Sequence, residues 1–157
     1  MSQLYRAAVG AFVLNEDKQI LITRNFGQGD RWNFPRGGVE KGETDEQALI
    51  RELYEELGVS DAKIITKSKI TTIFRLPAVY IKANNLNYIG QAQTWYWVFL
   101  RKSVPLAVPN NEAEEYMWIS LTTSEISKYF KQHDDEKVLQ TFLPIEFEEI
   151  KKRLARV

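Results

Sequence analysis

Glu52, Glu55 and Glu56 stand at i, i+3 and i+4 within the segment 37–59, GGVEKGETDEQALIRELYEELGV. At about 100° per residue, a helix through them gathers three carboxylates on roughly a third of its circumference. Like charges at these spacings destabilise a helix, and a hard divalent cation taking oxygen ligands relieves them. Magnesium or manganese is the natural candidate. Glycines just before the helix let backbone approach a ligand closely. The chemistry this combination suits is metal-assisted attack on phosphate groups.

The helix that must position these acids is written in the same segment. Leu49, Leu53 and Leu57 recur every four residues as an apolar stripe, displaced by about a quarter turn from the carboxylates. Thr44 followed by Gln47 is a capping-box pair, and Gly58 is a natural terminator, so the spacing predicts a helix over 44–57. Upstream, residues 7–14 and 19–24 are β-rich runs around the turn-like Asn15, Glu16, Asp17 and Lys18, which predicts a hairpin. Residues 25–43, with six glycine or proline positions counting Gly27, Gly29, Pro35, Gly37, Gly38 and Gly42, read as one long loop. Residues 62–76 predict a strand with an irregular tail and 77–90 a loop. The run 93–101, QTWYWVFLR, predicts a strand buried on both faces, and 115–121 another short strand. Helices are expected over 124–130 and 136–156, the second interrupted near Pro144. This order suits an α/β mixed sheet with helices on both sides.

The chain of 157 residues suits one domain, 1–157, with length enough to bury a core. Lys plus Arg and Asp plus Glu are 21 each, so overall charge gives no footprint for non-specific nucleic-acid binding. With no cysteine, thiolate metal sites and disulfides are excluded, and the lone His133 cannot build a histidine zinc site or a catalytic triad. No run approaches the roughly 18 apolar residues of a membrane span, so no membrane partner is expected and cytoplasmic residence is the default. A monomer or weak homodimer is expected.

Gly37, Glu43, Arg51, Glu52, Leu53, Glu55, Glu56, Gly58 and Val59 match every specified position of the Nudix box, and the chain resembles the Nudix hydrolase superfamily. Segments 5–10 (YRAAVG), 26–38 (FGQGDRWNFPRGG) and 89–96 (IGQAQTWY) are similar to the RNA 5′-pyrophosphohydrolase and diadenosine polyphosphate hydrolase subfamily. Segments 112–120 and 130–142 keep matching positions of it. Departures are Phe74 where that subfamily usually has tyrosine, Thr94 where it has lysine, Ala113 where an aromatic follows the glutamate, and a shortened segment between the box and Phe74. The resemblance implies an α/β/α sandwich with the metal-binding helix beside a mixed sheet. It implies a Mg2+ or Mn2+ ion held by Glu52, Glu55, Glu56 and the Gly37 carbonyl, and places Glu112 as an added ligand or base.

The proton acceptor is then Glu52 or Glu112. Arg51 and Glu43 are expected to pair and orient the loop against the helix, since a two-bond arginine–carboxylate contact fixes backbone position. Arg6, Arg24, Arg36 and Lys131 are the cations available to a polyphosphate chain, each with the alternative of a solvated surface residue. Phe74 and Phe130 are expected to sandwich a base, with core packing as the alternative; Trp32, Trp95 and Trp97 read as packing. The function expected is hydrolysis of a phosphoanhydride in a nucleotide polyphosphate, either a diadenosine polyphosphate or the 5′-triphosphate end of RNA. The alternatives are a pyrophosphatase sanitising nucleoside triphosphates and a catalytically silent nucleotide- or RNA-binding module.

Overall fold

The computed structural model of the chain describes residues 4–25, 31–107, 113–130 and 136–155. Its elements, in chain order, are β1 (Tyr5–Leu14), β2 (Gln19–Asn25), β3 (Arg36–Gly38), α1 (Asp45–Leu57), β4 (Lys63–Arg75), α2 (Ala78–Ala83), β5 (Gly90–Phe99), β6 (Ala113–Ser120), α3 (Thr123–Phe130) and α4 (Glu136–Leu154). One sheet runs β4-β5-β1-β2-β6, with β3 paired to β1 beside that path. Only the central β1–β5 pairing is parallel among these neighbours, so the sheet is mixed.

The unbroken apolar run of β1 serves two cores at once, because successive side chains of a strand point to opposite faces. Val9, Ala11 and Val13 pack with Leu49, Leu53 and Leu57 of α1 on one face. Phe12 and Leu14 pack with Trp95, Trp97, and the Ile126, Phe130, Leu143 and Phe147 side chains of α3 and α4 on the other. Each fully buried leucine of the α1 stripe contributes about 1.5–3 kcal/mol. The α1 ends are as expected: Thr44 and Gln47 form a reciprocal capping box, and Gly58 closes the helix in the left-handed region at φ 68°.

Three expectations, two for connecting segments and one for the last helix, are corrected. Residues 25–43 are not one loop. β1 and β2 share a single register pair, Leu14 with Ile20, and then diverge. The opened gap is filled by 33–38: Thr23 and Asn33 exchange backbone bonds at 2.7 and 2.8 Å, the Ala11 N–H donates to the Pro35 carbonyl at 2.8 Å, and β3 pairs with β1. The segment 77–90 carries the short helix α2, whose first bond runs from the Ile81 N–H to the Pro77 carbonyl at 3.1 Å. Helix α4 runs unbroken through Pro144. Proline removes one N–H from the ladder, and the buried Leu143, Phe147 and Ile150 hold both sides of that position in the core. Among the described residues, no helix is long and apolar enough to cross a membrane.

Candidate active site

Helix α1 lies over β3, and Arg51 is the side chain that fastens them. Its Nε donates to Glu43 Oε2 at 2.7 Å and its Nη2 to Glu43 Oε1 at 2.8 Å, the two-bond pair the sequence led us to expect. Nη2 also donates to the Gly38 carbonyl at 2.8 Å, which ties the helix to β3. Nη1 donates to Glu52 Oε1 at 2.8 Å and to Glu55 Oε2 at 3.2 Å. These last two bonds were not anticipated, and they show that the Glu52 and Glu55 carboxylates converge on one point. The Arg51 hydrogen bonds, reinforced by the Glu40 N–H, hold the Glu43 carboxyl at a pKa of about 2. Glu43 in turn raises Arg51 further above its ordinary value, so the guanidinium is a permanent cation.

Glu56 is 3% exposed, an unusual place for a carboxylate. It accepts hydrogen bonds from the Thr23 hydroxyl at 3.3 Å and the Arg36 backbone N–H at 3.1 Å. Both donors come from strands that the 33–38 insertion brings together. Glu52 lies against Gly37 so closely that a Cβ added there would fall 1.9 Å from its carboxyl carbon. Glycine at this position leaves room for that carboxylate to stand where it does.

Among the described residues, no three acidic side chains are gathered tightly enough to form a ready cage for a metal ion. Arg51 Nη1 holds the point on which two of them converge. The donor set nevertheless fits a hard divalent cation: every candidate ligand is oxygen, and the bare Gly37 backbone faces the Glu52 carboxylate.

The opposite face of β3 is cationic. Register places Arg6 beside Gln91 and Phe74, and Ala8 beside Gly38, Gln93 and Thr72, all on one face of the sheet. A Cβ at Gly38 would fall 2.4 Å from the Arg6 guanidinium, so Arg6 covers β3 from this side. Arg36, paired with Gly10, shares the face, and its guanidinium lies 5.5 Å from the Phe74 ring centre. Arg31 stands 5.8 Å from the same ring. Sequence reasoning missed Arg31; its place beside Trp32 in the glycine-rich segment was the available signal. Arg24 is committed elsewhere, bonded to Glu115 at 2.8 Å and lying 5.8 Å from the Trp32 ring.

Phe130 corrects the expected base sandwich. It is 1% exposed, its ring stacked on Phe34 at 4.6 Å, and it offers no face to a ligand here. The amphipathic face of α3 turns it inward with Ile126. Trp95 and Trp97 are buried in the same core, as expected, and Trp32 packs at its margin. Glu112, Lys131 and His133 lie outside the described residues.

Comparison with known proteins gives consistent matches. The family model described as NUDIX domain matches residues 4–142. An RNA pyrophosphohydrolase of Shewanella sediminis is 36% identical over 151 residues, covering 89% of this chain and 86% of its own. Among solved structures, the dihydroneopterin triphosphate pyrophosphohydrolase of E. coli superposes with a TM-score of 0.68 at 18% identity, over 89% of this chain and 97% of that one. The C. elegans Ap4A hydrolase binary complex gives a TM-score of 0.66 at 16% identity, over 89% and 96%.

Proposed function

From the premise that this chain belongs to the NUDIX domain family and is a hydrolase of phosphoanhydride bonds, we propose that it is a divalent-metal-dependent pyrophosphohydrolase of the 5′-triphosphate end of RNA. A diadenosine polyphosphate is the second substrate this reading admits. The observation that carries the proposal is the division of the site by β3, with Glu52, Glu55 and Glu56 on the α1 side and Arg6, Arg36 and Phe74 on the other. A polyphosphate lying across β3 meets guanidinium groups on one flank and acidic groups for water activation on the other. The similarity to an RNA pyrophosphohydrolase supports RNA ends over dinucleotides. The 1–157 chain acts as one domain in this reading.

Glu52, Glu55, Glu56 and the Gly37 carbonyl would hold Mg2+ or Mn2+. When bound, such an ion neutralises phosphate charge and lowers the pKa of attacking water. The remaining chemistry belongs to the chain. Glu52 accepts the proton of the attacking water at a carboxylate oxygen, with Glu112 as the other residue proposed for this work. Arg6 and Arg36 hold phosphate oxygens in line, which converts substrate binding into orientation. Arg51 keeps Glu52 and Glu55 turned toward β3.

The test is a substrate panel with magnesium titration and product masses. Triphosphorylated RNA trimmed to a 5′-monophosphate supports the proposal, and diadenosine tetraphosphate split to ATP and AMP supports its second substrate. Nucleoside triphosphates yielding monophosphate and pyrophosphate, with both others untouched, would refute it. Glu56→Gln should remove most magnesium-dependent turnover with the circular dichroism spectrum unchanged; full turnover would refute the metal assignment.

A further inference from the structure

Gln93 of β5 is 2% exposed, and its Nε2 is a buried donor with no hydrogen-bond partner among the described residues. Its other amide atom is fixed. The Trp95 indole N–H, which can only donate, reaches the Thr72 hydroxyl at 2.8 Å, and that hydroxyl donates to Gln93 Oε1 at 2.7 Å. Turning the amide over would strand the hydroxyl proton as well, so the relay holds Nε2 outward from β4. Buried donors are nearly always paired, so one held in place by its neighbours without a protein acceptor marks a position where a further hydrogen-bond acceptor fits.

Its surroundings say what that is. In the same row of the sheet stand Ala8 and Gly38, which carry a methyl group and nothing. The neighbouring rows on the same face bring Arg6 and Phe74 on one side and Arg36 on the other. Phosphate oxygens are served there by guanidinium groups. A neutral, buried amide N–H instead matches a neutral carbonyl oxygen, beside an aromatic ring.

We propose that Gln93 is a specificity-determining residue whose Nε2 donates to a carbonyl oxygen on the nucleobase next to the hydrolysed phosphates. This rests on the phosphoanhydride-hydrolase reading, and it ranks substrates: a base with a carbonyl at that edge, as in guanine, is favoured over adenine, which presents an amino group. A site built around a polar contact rejects the analogue that leaves its buried group unpaired.

The test is the ratio of kcat/KM for guanine over adenine, measured on matched pairs of triphosphorylated RNAs, dinucleoside polyphosphates and nucleoside triphosphates, whichever the wild type hydrolyses. Because both substrates meet the same preparation, the ratio does not depend on the folded fraction. The expected wild-type ratio is about tenfold or more. Gln93→Glu, which keeps the acceptor for Thr72 and replaces the donor, should bring the ratio to unity or invert it, and Gln93→Met should bring it to unity. A wild-type ratio near one, a ratio unmoved in both variants, or an equal loss for both bases overturns the proposal. Which substrate class is hydrolysed is read from the wild type alone, so the functional reading and this assignment fail separately.

Discussion

Gly37→Ala places a methyl group where the Glu52 carboxyl group now stands. Among the described residues Gly37 is not one of the glycines at positive φ, so alanine suits its backbone, and the three nearest atoms a methyl group would meet all belong to the Glu52 side chain. Ordinary contact begins near 3.4 Å, and the carboxyl carbon stands 1.9 Å from the new atom, so it must retreat by about 1.5 Å, beyond the ångström-scale misplacement that costs roughly 100-fold in rate. That corresponds to about 2.7 kcal/mol of lost transition-state stabilisation. Folding should barely respond. Glu52 is the far end of a flexible side chain, its bond to Arg51 is a part-exposed ion pair worth less than about 1 kcal/mol, and alanine offsets that by restricting the unfolded chain. The assay is kcat/KM with saturating magnesium on the substrate the wild type hydrolyses, alongside thermal denaturation. A roughly 100-fold loss at unchanged Tm is expected. A kcat/KM within threefold of the wild type would refute the claim that the Glu52 carboxylate works where it stands against β3, and a large fall in Tm would refute the claim that it can yield.

The Glu43 carboxyl is depressed from 4.5 to about 2 in the folded protein, chiefly by Arg51, so the stability it adds is full above pH 4.5 and is lost as pH falls from 4.5 toward 2. Glu43→Gln should flatten that part of the Tm-against-pH curve, and an unchanged slope between pH 4.5 and 2 would count against the pairing. Phe130→Ala should cost about 3–5 kcal/mol in urea denaturation, the price of an aromatic cavity in a packed core, with KM of the folded fraction unchanged; a raised KM at full stability would return Phe130 to the substrate. Glu146 of α4 accepts hydrogen bonds from Ser68 Oγ at 2.5 Å, the Lys69 N–H at 3.0 Å and the indole N–H of buried Trp97. Glu146→Ala should therefore lower stability by about 2–3 kcal/mol, seen as a Tm drop of roughly 4–12 °C, and leave kcat/KM intact.

Much of the acidic half of the site was legible because it is local. The capping box, the leucine stripe and the Arg51–Glu43 pair all lie within one helix and the turn before it, where spacing alone sets geometry. Phe130 was not legible in the same way. Its helix is amphipathic, but which side faces the sheet is decided by Phe34 and α4, far away in the chain. Helix α4 was misjudged at Pro144 because local propensity is overruled where several apolar side chains anchor both flanks. The unmet Gln93 donor depends on which residue of β4 lies opposite. That pairing follows two register shifts, between Ile64 and Thr66 and between Lys67 and Thr71, which no periodicity reveals.

β3 shows most directly why the cationic half was harder to read than the acidic half. Arg36, Gly37 and Gly38 look in sequence like the end of a flexible loop, because three residues with two glycines carry no strand propensity of their own. Their extended form comes from β1, through the pairs Ala8 with Gly38 and Gly10 with Arg36. Once extended, consecutive residues must face opposite ways. Gly37 therefore meets Glu52, while Arg36 and Gly38 face Phe74 and Arg6. A loop would let all three approach one ligand from one side; a strand assigns the middle residue to the acids and its neighbours to the cations. The separation of water activation from phosphate binding in the proposed mechanism is thus a consequence of strand alternation, imposed on a short segment by the gap that β1 and β2 leave open.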